Sequence, residues 1–458
     1  MSKFNSSLGI EKILSIISNE KINVHFIGVG GAGMSSLFCL TKYFGLGVSG
    51  SDIKEGEFLS SLKEHGADVF IGSRGTLPEN TALCVYSLAI DESDSELLLC
   101  EKMGIPTVSR AEYMAALSSC YEKRIAVSGS HGKSTVTAML SKIFSFDGRE
   151  PTVISGASLG AGEGNFRLGA LDTFIYEACE YKDSFLCFSP SVALFLNLEL
   201  DHVDYFPSLD AIMHSFGRAM DSARCAIVNT DDERLKSLVH TCHTKIISVG
   251  SAGGEDYTYN IISSEPRMLR FTVSHNEWKE EFSLPMIGDF NISNAAMAVA
   301  CAYESGVSGE NIKEALSDFC TIARRLEIIG QYKGVPIYYD YAHHPTEIKA
   351  SIKAVKREVR GAVAAVFCPH TYSRTKALFS DFKEALSLLD RVMVTGITGA
   401  REVDTGAVSF EKLAFESGGI PVYNRDDVVN NLDGSLGGII IMGAGDADWV
   451  IRALLRSY

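Results

Sequence analysis

The chain has 458 residues, 46% of them hydrophobic and 22% charged, with a formal net charge of −15. That length implies about three domains rather than one core, and the acidic balance excludes a nucleic acid held through its phosphates. The eleven cysteines stand singly; with no signal-peptide pattern and no apolar run near the roughly 18 residues of a spanning helix, they read as reduced thiols in a cytoplasmic protein away from membranes.

In chain order, Ile10, Ile13, Leu14, Ile16 and Ile17 predict a short amphipathic helix. Val24-His-Phe-Ile-Gly28-Val-Gly30-Gly-Ala-Gly33-Met-Ser then reads as strand, tight turn and helix, with Gly28, Gly30 and Gly33 at Gly-x-Gly-x-x-Gly spacing and Asp52 at the expected end of a second strand. Such a turn sets backbone N–H groups and a helix N-terminus against a diphosphate, so it suits a nucleotide sugar as well as NAD. A second phosphate loop further on makes the nucleotide sugar the better reading. Leu83–Ile90, Leu97–Leu99 and Pro106–Val108 continue the strand-helix rhythm. Arg110 opens a helix, either facing a substrate phosphate or standing as a solvated helix-end arginine, and the first domain closes near Glu122.

Val127-Ser-Gly129-Ser-His-Gly132-Lys-Ser-Thr-Val-Thr137 again runs strand, loop, helix start. Gly129 and Gly132 keep Cβ atoms clear of converging N–H groups, Lys133 reaches the β and γ phosphates, and the hydroxyl of Ser134 or Thr135 ligates magnesium. This predicts use of ATP. Gly164–Gly169 reads as a polar turn, and two later strands, Thr173–Glu177 and Ser191–Asn197, lead into Glu180 and into Asp201, His202 and Asp204. Ligands gather at the carboxyl ends of parallel strands, so Glu177 and His202 are expected at the same edge as Lys133, able to hold two magnesium ions. His202 also reads as a backbone cap. Ala226–Asn229 gives a further strand and 249–284 a small β excursion. Asn291 and Asn294 then begin a small-residue helix, where their amides either meet an adenine edge or cap the helix.

Near Thr321 the pattern restarts. Strands at 335–339, 362–367, 391–395 and 439–442 each end in polar residues and alternate with helices at 346–357, 376–389 and 445–456, which is a second doubly wound α/β unit.

Phe26–Ser35, Gly129–Ser134, Glu177–Glu180, Asn197 with Asp201-His202, Gly288–Asn291 with Asn294, Arg324-Arg325, Asp340–Glu347, and Pro369-His370 with Ser373–Thr375 follow one another in order. Through them the chain resembles the Mur ligases over almost its whole length, most of all the branch that adds L-alanine. The resemblance implies three α/β domains: a Rossmann-like domain over 1–122 for a UDP sugar, a central P-loop-type ATPase domain over 123–321, and a Rossmann-like amino-acid domain over 322–458. It implies that Gly28, Gly30, Gly31, Gly33, Met34, Asp52 and Arg110 hold the UDP sugar. It assigns ATP to Gly129, Ser130, His131, Gly132, Lys133, Ser134, Thr135, Asn291, Asn294, Arg325 and Asp340. Ser134, Glu177 and His202 would ligate magnesium at two sites, and Tyr341, His343, His370 and Arg374 would surround the amino acid. Lys133, Glu177, His202 and Arg325 would be the catalytic set.

The implied reaction is ATP-dependent ligation of L-alanine to the carboxylate of UDP-N-acetylmuramate through an acyl phosphate, an early cytoplasmic step of peptidoglycan synthesis, by a monomer or homodimer. One departure stands out. Sibling ligases carry a carbamylated lysine after the Asp-His motif, but no lysine occurs from Asp201 to Leu235, so its role is absent or falls to a group such as Glu180. Two other readings compete. A recycling ligase that joins the same sugar to a tripeptide shares these motifs, although Gly164–Gly169 favours the alanine branch. An NAD-dependent oxidoreductase rests only on Gly28–Gly33 and Asp52 and leaves Lys133, Glu177 and His202 unused.

Overall fold

Three sheets organise the chain. The computed structural model describes residues 8–455 apart from 74, 161–163, 321 and 401. Thr321, where the change of domain is expected, and the outermost ends of the first and last predicted domains lie outside the described residues.

The first sheet is wholly parallel, in the order Asp68–Ile71, Gly47–Asp52, Asn23–Ile27, Thr81–Tyr86, Thr107–Ser109. Chain direction across the sheet reverses beside Asn23–Ile27, so the glycine turn that follows this strand sits at the switch point where such sheets bind ligands. The amphipathic helix Ile10–Ile17 packs its Ile13 face onto the same core, and Ser109 and Glu112 form a reciprocal capping box that fixes the start of helix Arg110–Ser118.

In the second sheet, Lys123–Ser128 lies between Val192–Phe195 and Ala170–Glu177, all parallel. The polar alternation at 249–284 becomes three antiparallel strands, Tyr257–Glu265, Met268–His275 and Trp278–Leu284, that extend one edge. At the other edge the expected polar turn Gly164–Gly169 contains a two-residue strand, Phe166–Arg167, paired antiparallel with Pro151–Ile154. Two residues are too few to show an alternation in sequence. Helix Lys133–Phe146 packs against helix Phe290–Glu304, whose Ala295, Ala296, Ala298, Ala300 and Ala302 are all fully buried. Small side chains bring the two helices close and set Asn294 against the phosphate loop.

The third sheet runs Glu327–Tyr332, Val335–Asp340, Gly438–Met442, Val363–Phe367, Arg391–Val394, Ile420–Pro421, with only the first strand antiparallel. Helix Pro345–Glu358 begins with proline at its first turn and a capping box between His344 and Glu347. The helix expected at 376–389 is instead two, Tyr372–Ala377 and Phe379–Leu386, parted at Leu378. Among the described residues no helix is long and apolar enough to cross a membrane, and all eleven cysteines are free thiols.

Candidate active site

The phosphate loop leaves its strand through Gly129, at φ +144°, and enters its helix through Gly132, at φ +84°. Both glycines are required twice over: L-residues avoid these angles, and a Cβ on Gly132 would come within 2.6 Å of Asn294 Oδ1. Asn197, at the end of the neighbouring strand, fixes the loop from both sides. Its Oδ1 accepts from His131 N–H at 2.7 Å, and its Nδ2 donates to the His131 carbonyl at 3.1 Å.

Lys133 Nζ stands 3.1 Å from Glu180 Oε2 and also donates to the Gly129 carbonyl. Burial opposes the lysine charge, but the adjacent Glu180 carboxylate holds its pKa above the ordinary value, so the loop keeps its cation. His202 Nε2 lies 3.6 Å from Glu180 Oε1, with its ring against Tyr181. Thus His202 faces the carboxylate hub and does not serve as a backbone cap. Glu177 accepts from Ser155 Oγ at 2.7 Å and from Gly156 N–H, and it lines the same cleft as Ser134, Lys133, Glu180 and His202. A hydroxyl, two carboxylates and an imidazole converging on one cleft suit a magnesium ion that keeps other ligands as water or phosphate. Glu180, only 1% exposed, is the member of this set that the sequence motif left without a firm role.

Asn291 and Asn294 are buried side by side, Asn294 Nδ2 donating to Asn291 Oδ1 at 3.1 Å while Asn291 Nδ2 donates to the Ile287 carbonyl at 2.8 Å. Neither amide caps its helix. Both line a mostly apolar cavity with His131, Gly132, Thr135, Arg325 and Asp340, the last two supplied by the third domain. Burial pushes the Asp340 carboxyl up to about 6, against the pull of Arg325 and Ser351.

Across the cleft, Arg324 and Arg325 lie over the Tyr341 ring at 5.7 and 5.6 Å, and His343 meets Tyr341 edge-on. Burial lowers His343 to about 4, so its ring is neutral near pH 7. Arg374 forms a bidentate pair with Asp201 at 2.9 to 3.2 Å. It therefore reaches the cleft edge but is engaged by a protein carboxylate. His370 sits at a bridge to Thr398, further along the same sheet end.

At the first-domain turn, Gly30 N–H donates to Asp52 Oδ2 at 2.9 Å, and the Arg110 guanidinium packs against Gly33, so close that a Cβ there would be 3.1 Å from Nη1. Arg110 thus lies against the first-domain glycine turn. The Met34 side chain is 2% exposed and belongs to the first core, because the helix turns that face inward. Ala32 and Phe58 carry this domain into the shared cleft, where Asn165 Nδ2 donates to the Ala32 carbonyl at 3.0 Å.

His131 forms a contact not anticipated in the sequence. Its Nε2 is 3.1 Å from Glu199 Oε2 and its Nδ1 is 3.0 Å from Glu347 Oε1, while Glu199 Oε2 also meets His344 Nδ1 at 3.0 Å. Burial disfavours the imidazolium, but Glu347 and Glu199 together outweigh it and raise the pKa of His131 from 6.5 to about 10. For a histidine raised in the folded state, the stabilisation is complete below about 6.5 and fades as the pH climbs through about 10. We expect the His131 ring signals in NMR to remain those of imidazolium at pH 8, and Glu347→Gln to bring the titration down toward neutrality.

Three α/β domains, with a phosphate loop in the second facing groups from the third, define an ATP-using enzyme whose site is shared between domains. The comparisons make the class specific. Residues 23–122 match the model of the Mur ligase family catalytic domain, 127–302 the Mur ligase middle domain, and 324–437 the Mur ligase glutamate ligase domain. The chain is 38% identical over 462 residues to UDP-N-acetylmuramate–L-alanine ligase of Acetivibrio thermocellus, covering 97% of this chain and 98% of the relative. It is 37% identical to the protein of that name from Clostridium acetobutylicum, over 92% and 95% of the two chains. The crystal structure of UDP-N-acetylmuramate-alanine ligase from Thermotoga maritima superposes with a TM-score of 0.79 at 24% identity, over 95% of this chain and 98% of that one. A murein peptide ligase from Psychrobacter arcticus gives 0.72 at 22%, over the same shares. The chain belongs to the Mur ligase family.

Proposed function

We propose that this enzyme joins L-alanine to the carboxylate of UDP-N-acetylmuramate at the expense of ATP, in the cytoplasm. The observation that carries the reading is the cleft itself, in which Lys133, Glu177, Glu180 and His202 of the ATP domain face Arg325, Tyr341 and His343 of the third domain. The relatives with the highest identities quoted above bear the name of that activity.

In the first step a carboxylate oxygen of the sugar attacks the γ phosphorus and ADP leaves, giving an acyl phosphate. Lys133 and Arg325 offset charge on the transferring oxygens, and backbone N–H groups of residues 132–134 hold the phosphates. Magnesium held by Ser134, Glu177 and His202, at up to two sites, would neutralise phosphate charge, with Glu180 beside them in place of the lysine that sibling enzymes carbamylate. In the second step the amine of L-alanine attacks the activated carbonyl, loses a proton to solvent or phosphate, and phosphate departs. A neutral His343 beside the amine avoids like-charge repulsion, and Arg374 is the cation available for the alanine carboxylate. Asn291 and Asn294 would meet the adenine and Asp340 the ribose, while the Gly28–Gly33 turn, Asp52 and Arg110 would hold the UDP group.

Phosphate release should require ATP, magnesium, UDP-N-acetylmuramate and L-alanine together. Replacing L-alanine by the tripeptide L-alanyl-γ-D-glutamyl-meso-diaminopimelate should leave only background release. Turnover with tripeptide alone would assign the chain to the recycling branch.

A further inference from the structure

His131 Nε2, Glu199 Oε2 and His344 Nδ1 meet in one cluster, with ligand atoms all within 4.8 Å of one another. The first two residues belong to the ATP domain and the third to the start of helix Pro345–Glu358. Two imidazoles and one carboxylate suit a borderline transition ion better than magnesium, whose ligands are mostly oxygen. Geometry agrees. Ligands about 2.0–2.1 Å from a tetrahedral zinc stand roughly 3.3 Å apart, and the imidazole nitrogens here stand 3.1 and 3.0 Å from the shared Glu199 oxygen; His344 Nδ1 also accepts from Thr346 N–H at 3.4 Å, a long cap bond that an ion would displace.

Outer partners hold these ligands in place. The far nitrogen of His131 faces Glu347 Oε1 at 3.0 Å, the carboxylate–histidine arrangement that orients a metal-binding imidazole and raises its basicity. Thr346 Oγ1 donates to the other Glu199 oxygen at 3.0 Å, fixing that carboxylate. The three side chains are 8 to 19% exposed, which leaves a route in from the nucleotide cavity that His131 and Glu199 also line.

We propose that His131, Glu199 and His344 form a zinc-class metal site, separate from the magnesium ligands, that clamps the ATP domain to the third domain. An ion bound there ties the phosphate loop through His131 to the next domain and opposes the opening that nucleotide exchange needs. Zinc thereby slows nucleotide exchange. The test is calorimetric titration of Zn²⁺ into the ligand-free full chain in millimolar Mg²⁺, with Co²⁺ as a spectroscopic substitute. The site requires one equivalent bound and intense four-coordinate cobalt bands in the visible. His344→Asn keeps a side chain suited to cap the helix but removes the imidazole, and it should weaken zinc at least tenfold. Glu199→Gln should do the same, whereas Glu177→Gln should leave zinc affinity within twofold. Zinc binding indifferent to His344→Asn and Glu199→Gln, or lost in Glu177→Gln, or cobalt spectra of octahedral type in the wild-type protein, would each overturn the proposal.

Discussion

Lys133→Ala is expected to lower alanine-dependent phosphate release by about 10³-fold or more, because it removes the phosphate-loop cation from a reaction catalysed chiefly by charge stabilisation. The structure adds a second consequence. Lys133 Nζ is 3.1 Å from Glu180, which is 1% exposed, so the substitution strands a buried carboxylate. Breaking such a pair from one side costs about 3–5 kcal/mol in stability. The two effects separate in the double variant Lys133→Ala with Glu180→Gln, in which the orphaned charge is gone. Its thermal unfolding should return most of the way to wild type while phosphate release stays abolished. Activity recovering along with stability would mean that Lys133 acts on the fold and not on the phosphate.

The strand-end rule explains why much of this cleft was legible in the sequence. Glu177 and His202 follow apolar runs that pair directly with the strand preceding the phosphate loop, so parallel pairing alone delivers them to the same edge as Lys133. The glycine spacing likewise placed the first-domain turn at its switch point. What the sequence did not disclose lies between domains. Asp201 and Arg374 are 173 residues apart, and Glu199 reaches Thr346 over 147 residues. Local periodicity carries no information about which loop of one domain faces which helix of the next. Met34 illustrates a different limit: motif membership does not say where a side chain points, and the hydrophobic face of its helix carries this one into the core.

The pairing of Arg374 with Asp201 also sets the second large effect. Arg374→Ala should raise the KM for L-alanine by about 10²-fold, the order expected when a buried charge-assisted contact to a carboxylate is lost, with a smaller fall in kcat. A guanidinium has five N–H donors, but here Nε and Nη2 are already committed to Asp201, so a substrate carboxylate must share it or displace the protein partner. Displacement has a definite signature. Asp201→Asn weakens the competitor while keeping its shape, so it should leave the KM for alanine unchanged or lower it, although stability falls because the pair bridges two domains. If Arg374 instead serves only as an interdomain tie, Arg374→Ala and Asp201→Asn should cost similar stability and neither should move the KM for alanine. Steady-state kinetics at saturating ATP and UDP-N-acetylmuramate, read beside unfolding midpoints, distinguish the two. Arg374→Lys sharpens the comparison, since a point charge can satisfy Asp201 but cannot reproduce the bidentate fork that a small amino-acid carboxylate accepts.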